Sequence, residues 1–259
     1  MNNKLQNYSA PNDLLKDRVI LVTGAGGAIG GEAAKSFAQH GATVILLGRS
    51  EQTLNDTYDA IVKAGHPLPM LCPLDLEKAT PPEFTALADS ITKEFGRLDG
   101  ILHAAATLGT LTPLEHYDLS VWSRVMQVNL NAPYLITRAC LPLLKASQNA
   151  SVIFSTADVA AKGEAYWGAY SIAHAATDNL AEIFADELET NTSIRFNSLD
   201  PGPIRSRIRS LAFPGEDPNN LPTANQIMPA YLYLMGDDSI GITGSRLLAQ
   251  TGNIPSNTK

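Results

Sequence analysis

Short apolar runs alternate along this chain with longer stretches in which apolar residues recur at helical spacing. The runs predict seven strands, at 19–22, 43–47, 69–73, 98–103, 151–155, 193–199 and 247–249. The stretches between them predict helices at 32–40, 50–64, 80–96, 120–144, 168–189 and 228–235. Strands that alternate with helices are typical of an α/β fold, so we expect a doubly wound parallel sheet, the Rossmann fold, with helices on both faces.

Local signals support several helix ends. Ser50 is placed to cap the second helix, and Thr80-Pro81-Pro82-Glu83 forms a capping box with prolines in the first turn of the third. Gly96 is expected to end that helix. Pro133 and Pro142 predict kinks or breaks within 120–144, because a proline removes a helical N–H donor.

Five glycines follow the first strand within residues 23–31. A strict G-x-G-x-x-G pattern fails at Ile29, but the looser T-G-x-x-x-(G)-x-G spacing fits, with Ala28 at the position where glycine is usual. Exposed backbone N–H groups and a helix N-terminus would form a phosphate-binding turn here. We expect it to consist of Gly24, Gly26, Gly27, Ile29 and Gly30. The alternative is a tight strand-to-helix turn without a ligand.

The ends of the next two strands carry charged residues. In a dinucleotide fold the second strand ends beside the adenosine ribose, where an acid binds the 2′-hydroxyl of NAD and a cation accepts the 2′-phosphate of NADP. Arg49 occupies this place, so NADP is expected rather than NAD; otherwise Arg49 is a solvated loop residue. Asp75 and Leu76 follow the third strand, where Asp75 either contacts the adenine amino group or caps a turn.

Chain length and composition favour one domain. We expect a flexible N-terminal arm at 1–13 and a single dinucleotide-binding domain at 14–259, with a mobile, proline-rich substrate loop at about 203–227. A net charge of −7 argues against a nucleic-acid partner. Cys72 and Cys140 fit no metal or disulfide pattern, and no stretch resembles a signal peptide or a membrane span, so a cytoplasmic location is expected.

Thr23-Gly24 with Gly30, Asn129 in Val-Asn-Leu, Tyr170 and the stretch from Pro201 to Ser206 occur in the order and spacing of one family. The chain resembles the short-chain dehydrogenase/reductase family over roughly residues 14–250. The stretches 167–170, 212–218 and 234–239 are similar to the YciK group of bacterial oxidoreductases.

This resemblance implies hydride transfer between the nicotinamide of NADP and a small carbonyl or alcohol substrate. Tyr170 would act as the general acid or base, Asn129 would hold a water in the proton relay, and His174 would contact the nicotinamide ribose. The resemblance also places Ala104, Ala105, Pro201, Ile204 and Ser206 against the cofactor. The long helices at 120–144 and 168–189 resemble those through which the family forms homodimers or homotetramers.

The chain departs from the family pattern at two catalytic positions. The usual serine is Ala157, and the usual lysine, four residues after the tyrosine, is His174. If Asp158 lay beside His174 it would favour the imidazolium and restore a cation; alternatively Asp158 faces solvent. Ser155 or Thr156 could supply the missing hydroxyl.

Two functions therefore remain open. One is an active NADP-dependent reductase of modest rate, and the other is a catalytically impaired nucleotide-binding or scaffold protein. Three loop arginines, Arg205, Arg207 and Arg209, either recognise an anion or form an exposed charged loop.

Overall fold

The computed structural model describes residues 5–250, which form a seven-stranded parallel sheet in the order β3-β2-β1-β4-β5-β6-β7. The strands are β1 (Val19–Thr23), β2 (Thr43–Gly48), β3 (Met70–Pro73), β4 (Gly100–His103), β5 (Ser151–Ser155), β6 (Arg195–Asp200) and β7 (Ser245–Leu248). The chain leaves β1 toward β2 and later returns to place β4 on the other side of β1. This reversal opens a crevice at the carboxyl ends of β1 and β4, where α/β sheets bind ligands.

Helices cover both faces of the sheet, as predicted. They are α1 (Ala28–Gln39), α2 (Glu51–Lys63), α3 (Pro81–Phe95), α4 (Leu119–Met126), α5 (Ala132–Lys145), α6 (Asp158–Ala161), α7 (Gly168–Leu188), α8 (Arg207–Ala212) and α9 (Met228–Met235). Alternate residues of β1 explain the two layers, because successive strand side chains point to opposite faces. Ile20 packs in the same cluster as Phe37 of α1, whereas Leu21 packs with Ile136 of α5.

Several predicted helix signals are confirmed in detail. The Ser50 hydroxyl accepts a hydrogen bond from the Thr53 amide, and the Thr80–Glu83 capping box is formed at the start of α3. Gly96 ends α3 in the left-handed conformation, with φ +69°. Gly41, with φ +98°, follows α1 in the same way.

The predicted breaks in the 120–144 region need correction. Pro142 lies inside α5 without interrupting it, whereas residues Gln127–Asn131 form a π-helical turn that joins α4 to α5. The amide of Ala132 donates to the carbonyl of Gln127, five residues back. Since Pro133 has no N–H to donate, the helix widens just before it rather than stopping.

Two segments expected to be free of the core are packed. From Leu5 onward the N-terminal segment contacts the domain: Leu5 is fully buried and the Tyr8 hydroxyl donates to Asp238. Within 203–227 the chain forms α8 and two 3₁₀ turns rather than an irregular loop. Two arginines hold this segment in place. Arg209 binds Glu216 through two hydrogen bonds, and the Arg205 side chain donates to the carbonyl of Pro218.

Within residues 5–250, no helix is long and apolar enough to cross a membrane. The same residues contain no group of three or more His, Cys, Asp or Glu side chains arranged to hold a metal ion.

Candidate active site

The glycine turn lies at the carboxyl end of β1 and leads directly into α1. Gly24 has φ +67°, and a Cβ there would lie 2.8 Å from the backbone of Ala105. At Gly30 a Cβ would collide with the carbonyl group of Gly24, so both positions require glycine for close packing. Gly26 and Gly27 are exposed, no side chain caps the start of α1, and its first turn carries no acid. The turn is therefore open to an anion at the positive end of the helix.

The strand β4 is joined to this turn through Thr23. Its buried hydroxyl accepts hydrogen bonds from the amides of Ala104 and Ala105, each 3.1 Å long. These bonds fix the segment after β4 against the glycine turn. Ala104 and Ala105, predicted to contact a cofactor, accordingly line one side of the crevice next to Gly24.

Arg49 lies just beyond the end of β2 and is exposed. Its guanidinium is 4.0 Å from the carboxylate of Glu77, at the limit of an ion pair. Asp75 caps a turn through a hydrogen bond from the Glu77 amide, as one of its two sequence-based interpretations required. The neighbouring Leu76 is buried, and its carbonyl accepts a hydrogen bond from the Gln127 side chain.

Tyr170, in the first turn of α7, lies within an apolar cluster. The cluster contains Leu108, Leu111, Ala157, Val159, Trp167, Ile208 and Ala212. The tyrosine is buried except for 7% of its surface. Burial, followed by the negative charges of Asp158 and Asp200, raises the pKa of Tyr170 well above its usual value. The phenol therefore keeps its proton at neutral pH and can donate it.

His174 lies one helical turn after Tyr170, with the ring centroids 4.4 Å apart. It is 4% exposed, and both ring nitrogens are buried without a hydrogen-bond partner among the described residues. Burial lowers the pKa of His174 to about 4, so the ring is neutral at pH 7. Two unsatisfied buried nitrogens are costly in a folded chain, which is the condition expected of a residue whose partner is a ligand.

The hypothesis that Asp158 charges His174 is wrong. Asp158 is exposed, as its alternative interpretation required, and its carboxylate accepts a hydrogen bond from the Val159 amide at the start of α6. Its charge acts on Tyr170, whereas His174 is affected by burial alone. Because a helix N-terminus favours an acid, the carboxylate is stabilised in the first turn of α6.

Two neighbouring residues, Ser155 and Thr156, could supply the hydroxyl that is missing at Ala157. The Ser155 hydroxyl is hydrogen-bonded to the hydroxyl of Tyr231, 2.8 Å away. Thr156 is buried, and its hydroxyl has no partner within the described part of the chain. The Ser155 hydroxyl is therefore engaged elsewhere, whereas that of Thr156 is not engaged by any of the described residues.

Asn129 lies in the π-helical turn and is almost completely buried. Its side-chain amide forms two hydrogen bonds of 2.9 Å with the backbone N–H and carbonyl of Thr107. Its backbone carbonyl accepts from the Thr177 hydroxyl at 3.0 Å. The side chain thus holds the segment after β4, through one of its two N–H groups and through its oxygen.

The segment that follows β6 turns sharply at Gly202, which has φ +69°. Pro201 and Ile204 are buried, and Ser206 caps α8 by accepting from the Arg209 amide. Ile204 belongs to the main core, so its side chain anchors this segment.

Sequence reasoning missed Arg246, which ties three parts of the site together. Its guanidinium donates to Asp178 of α7 at 3.0 Å, to Asp200 of β6 at 2.9 Å and to the carbonyl of Ala157 at 3.0 Å. Asp200 in turn accepts from the Gly202 amide. A charged residue within the last strand was the one available signal, because lone charges are rarely buried without partners.

The chain is similar to known proteins over most of its length. The model of the short chain dehydrogenase family matches residues 18–217. An uncharacterized oxidoreductase of Escherichia coli K12, YciK, is 44% identical over 248 residues, which cover 96% of this chain and 98% of that protein. The chain therefore belongs to the short-chain dehydrogenase family of NAD(P)-dependent oxidoreductases, and within it is YciK-like.

Two solved short-chain dehydrogenase structures carry a nucleotide. One, from Shigella flexneri 2a, is complexed with NADP, and the other, from Escherichia coli CFT073, is complexed with NADPH. Each is 44% identical to this chain, with a TM-score of 0.90, and each alignment covers 93% of this chain and all of the other.

Proposed function

We propose that this protein is an NADP-dependent reductase that transfers hydride to a small carbonyl substrate. The observation that carries the proposal is the open glycine turn at the start of α1, together with Arg49 at the end of β2. The turn offers amides and a helix dipole to the diphosphate, and Arg49 offers a cation to the 2′-phosphate. The nucleotide-bound structures of the two relatives support this choice of cofactor.

The residues around the predicted nicotinamide end fit a ribose. His174 presents two buried nitrogens that lack partners among the described residues, and a neutral imidazole can donate one hydrogen bond and accept another. Ala104 and Ala105 would pack beside the glycine turn, while Pro201 and Ser206 would approach from the β6 side. Bound there, NADPH would supply the hydride.

Tyr170 would protonate the substrate oxygen as hydride arrives. At neutral pH the phenol is in the protonated form that reduction requires, and this protonation state favours the direction of reduction. The reverse reaction would need the phenolate, and each unit by which the pKa rises costs about 1.4 kcal/mol. We therefore infer that reduction is the working direction. At the other end of the cofactor, Asp75 and Leu76 would lie near the adenine.

A second candidate function is nucleotide binding with little catalysis. The specific observation in its favour is the combination of Ala157, where no hydroxyl remains, with a neutral His174. Loss of one oxyanion donor alone lowers a rate on the order of 10²- to 10³-fold. A protein of this kind would retain the nucleotide site and act through it as a binding or scaffold protein.

Two measurements distinguish these functions. Fluorescence titration with NADPH measures binding, and NADPH consumption over a panel of ketones and aldehydes measures turnover. Binding with turnover supports the reductase, and binding without turnover supports the second candidate. Absence of NADPH binding at millimolar concentration would contradict both.

A homodimer or homotetramer is part of the same proposal. Three large apolar side chains, Tyr134 of α5 with Ile172 and Ile183 of α7, are exposed by 41%, 42% and 46%. They lie on the two helices expected to form subunit contacts. Exposed apolar side chains on neighbouring helices favour association.

A further inference from the structure

The carbonyl group of Ala25, in the middle of the glycine turn, is held by a side chain of another helix. The hydroxyl of Thr57, in α2, donates to this carbonyl at 2.9 Å, and it also lies 3.2 Å from the carbonyl of Thr53 in its own helix. Thr57 is 8% exposed and Ala25 is fully buried, so the bond between them is shielded from solvent. The shorter of the two contacts therefore crosses from α2 to the turn.

Ala25 is fixed at its amide as well as at its carbonyl. Its N–H donates to the carbonyl of Leu47 in β2 at 3.1 Å, while its carbonyl faces Thr57. Gly31 leaves room for this arrangement, because a Cβ there would lie 3.0 Å from the Ala25 oxygen and 3.4 Å from the Thr57 hydroxyl. Glycine is otherwise unfavourable within a helix. The strand β2 and the helix α2 thus hold the middle of the turn together.

The direction of the Gly26 N–H follows from this contact. A trans peptide group is planar, so its N–H and its carbonyl point in opposite directions. The Ala25 carbonyl points toward α2, and the Gly26 N–H of the same peptide group therefore points away from it. This N–H has no acceptor among residues 5–250, whereas the amide of Gly27 donates to the Gly24 carbonyl at 2.8 Å. Because Gly26 is exposed, its N–H is available to an anion.

We propose that Thr57 is a positioning residue for the nucleotide: through the Ala25 carbonyl, it holds the glycine turn in the form that presents the Gly26 N–H to the diphosphate. The inference rests on the proposed nucleotide-dependent function and adds to it a residue outside the glycine pattern. Thr57 acts through Ala25 and does not itself contact the nucleotide. Since α2 begins directly after Arg49 and Ser50, the helix that follows the 2′-phosphate position also supports the diphosphate position.

Without the Thr57 hydroxyl, the buried Ala25 carbonyl would lack a donor. An unsatisfied buried acceptor is costly, so the peptide group would rotate toward another donor and carry the Gly26 N–H with it. The binding-competent form of the turn would then be only partly populated, and nucleotide affinity falls in proportion to that population. Thr57→Val creates this situation, because valine keeps the branched shape of threonine and lacks the hydroxyl.

Amide relaxation of the nucleotide-free protein measures the effect on the turn. We expect an order parameter of about 0.85 for the Gly26 N–H in the unmodified protein, and a value below about 0.6 in Thr57→Val. Thr57→Ser keeps the hydroxyl and should retain the unmodified value. Thr92→Val removes a hydroxyl that donates only to the Ala88 carbonyl of its own helix, α3, so this matched control should leave Gly26 unchanged. A Gly26 amide that is equally ordered, or equally mobile, in Thr57→Val and the unmodified protein overturns the inference.

Fluorescence titration with NADPH and with NADH measures the consequence for binding. We expect Thr57→Val to weaken both nucleotides by about tenfold, since they share the diphosphate, and Thr57→Ser to stay within about twofold of the unmodified protein. Urea denaturation of the same variants distinguishes positioning from a merely structural role. Lower stability of Thr57→Val with unchanged nucleotide affinity rejects the inference, and so does a loss of affinity confined to NADPH.

The unmodified protein separates a failure of this inference from a failure of the proposed function. If it binds NADPH and Thr57→Val binds NADPH equally well, the role of Thr57 alone is rejected. If the unmodified protein binds neither nucleotide, the proposed function is rejected. A Gly26 amide that loosens only in Thr57→Val would still support the contact from α2 in that case.

Discussion

The imidazole ring of His174 meets the phenol ring of Tyr170 edge-on, at a centroid distance of 4.4 Å and an interplanar angle of 63°. Burial keeps the His174 pKa at about 4, so a neutral ring stands where the family resemblance places a lysine cation. No positive charge therefore lowers the pKa of Tyr170, and nearby carboxylates raise it further. Tyr170 is therefore protonated at neutral pH, and the phenolate that alcohol oxidation would require is scarcely populated.

Restoring the two missing groups should raise carbonyl reduction. The double variant Ala157→Ser with His174→Lys supplies a donor to the substrate oxygen and a cation beside Tyr170. We expect an increase in kcat on the order of 10²- to 10³-fold, measured as NADPH consumption with a fixed ketone. Ala157→Ser alone is the control and should recover only part of the gain. An unchanged kcat in a folded double variant that binds NADPH would contradict the role assigned to Tyr170.

The buried histidines should make the fold sensitive to acid. Burial lowers the pKa of His103 to about 3 and that of His174 to about 4, against about 6.5 in an unfolded chain. Between these values the unfolded chain binds more protons than the folded one. The contribution to stability is complete above about pH 6.5 and falls as the pH drops toward 4, by roughly 1.4 kcal/mol per unit for each histidine.

Urea denaturation at pH 7 and pH 5 measures this loss. His174→Gln should reduce the difference between the two pH values, because glutamine does not titrate. His116→Gln, a change at an exposed position, should leave it as it is. An identical pH dependence in His174→Gln and the unmodified protein would show that His174 does not contribute to the loss of stability in acid.

Arg49 should decide between the two nicotinamide nucleotides. Arg49→Gln removes the cation from the end of β2, so we expect NADPH affinity to fall about tenfold, with NADH affinity unchanged. Fluorescence titration with each nucleotide is the measurement, and Lys63→Gln, an exposed cation at the end of α2, is the control. Equal losses of affinity for NADPH and NADH would contradict the assignment of Arg49 to the 2′-phosphate.

Arg246 should be required for stability as well as for the shape of the site. Arg246→Met leaves Asp178 and Asp200 without their cation, and Asp200 is 2% exposed. We expect a loss of roughly 3 kcal/mol in the free energy of unfolding. Adding Asp200→Asn to this variant should recover part of the loss, since an uncharged amide replaces the unpaired carboxylate. Thermal and urea denaturation measure the free energy of unfolding of both variants. An unchanged value in Arg246→Met would show that Arg246 has only a local role in the site.

The exposed apolar side chains on α5 and α7 should hold subunits together. Ile183→Asp introduces a charge into the expected contact and should lower the molecular mass in solution, measured by light scattering after size exclusion. Val62→Asp, at an exposed apolar position on α2, is the control. If the unmodified protein is already a monomer, the proposed oligomer is rejected.

Much of the architecture follows from local pattern. The alternation of apolar runs and helical stretches predicts the sheet and both layers, because burial on two faces leaves few alternatives for strands such as Val19–Thr23. Gly30 and Gly31 misled the prediction of the start of α1, which lies at Ala28. These glycines serve close packing within the helix, and a sequence does not distinguish that role from a turn.

The details of the site depend on long-range contacts. Arg246 reaches Asp178 and Asp200 from 68 and 46 positions away, so local spacing carries no signal of the pairing. Asp158 was placed either beside His174 or in solvent. The structure shows it exposed in the first turn of a short helix that was not predicted, with its carboxylate bonded to the Val159 amide. The glycine turn could be predicted because it lies between a regular strand and a regular helix, whereas the place of Tyr170 in the site was predicted from the family resemblance.

Crystals of the protein soaked with NADPH test the central claim most directly. The account predicts electron density for the diphosphate against the backbone amides between Gly24 and Gly30, with the 2′-phosphate near Arg49 and the nicotinamide beside Tyr170 and His174. An empty crevice, or a nucleotide bound away from the glycine turn, would contradict it.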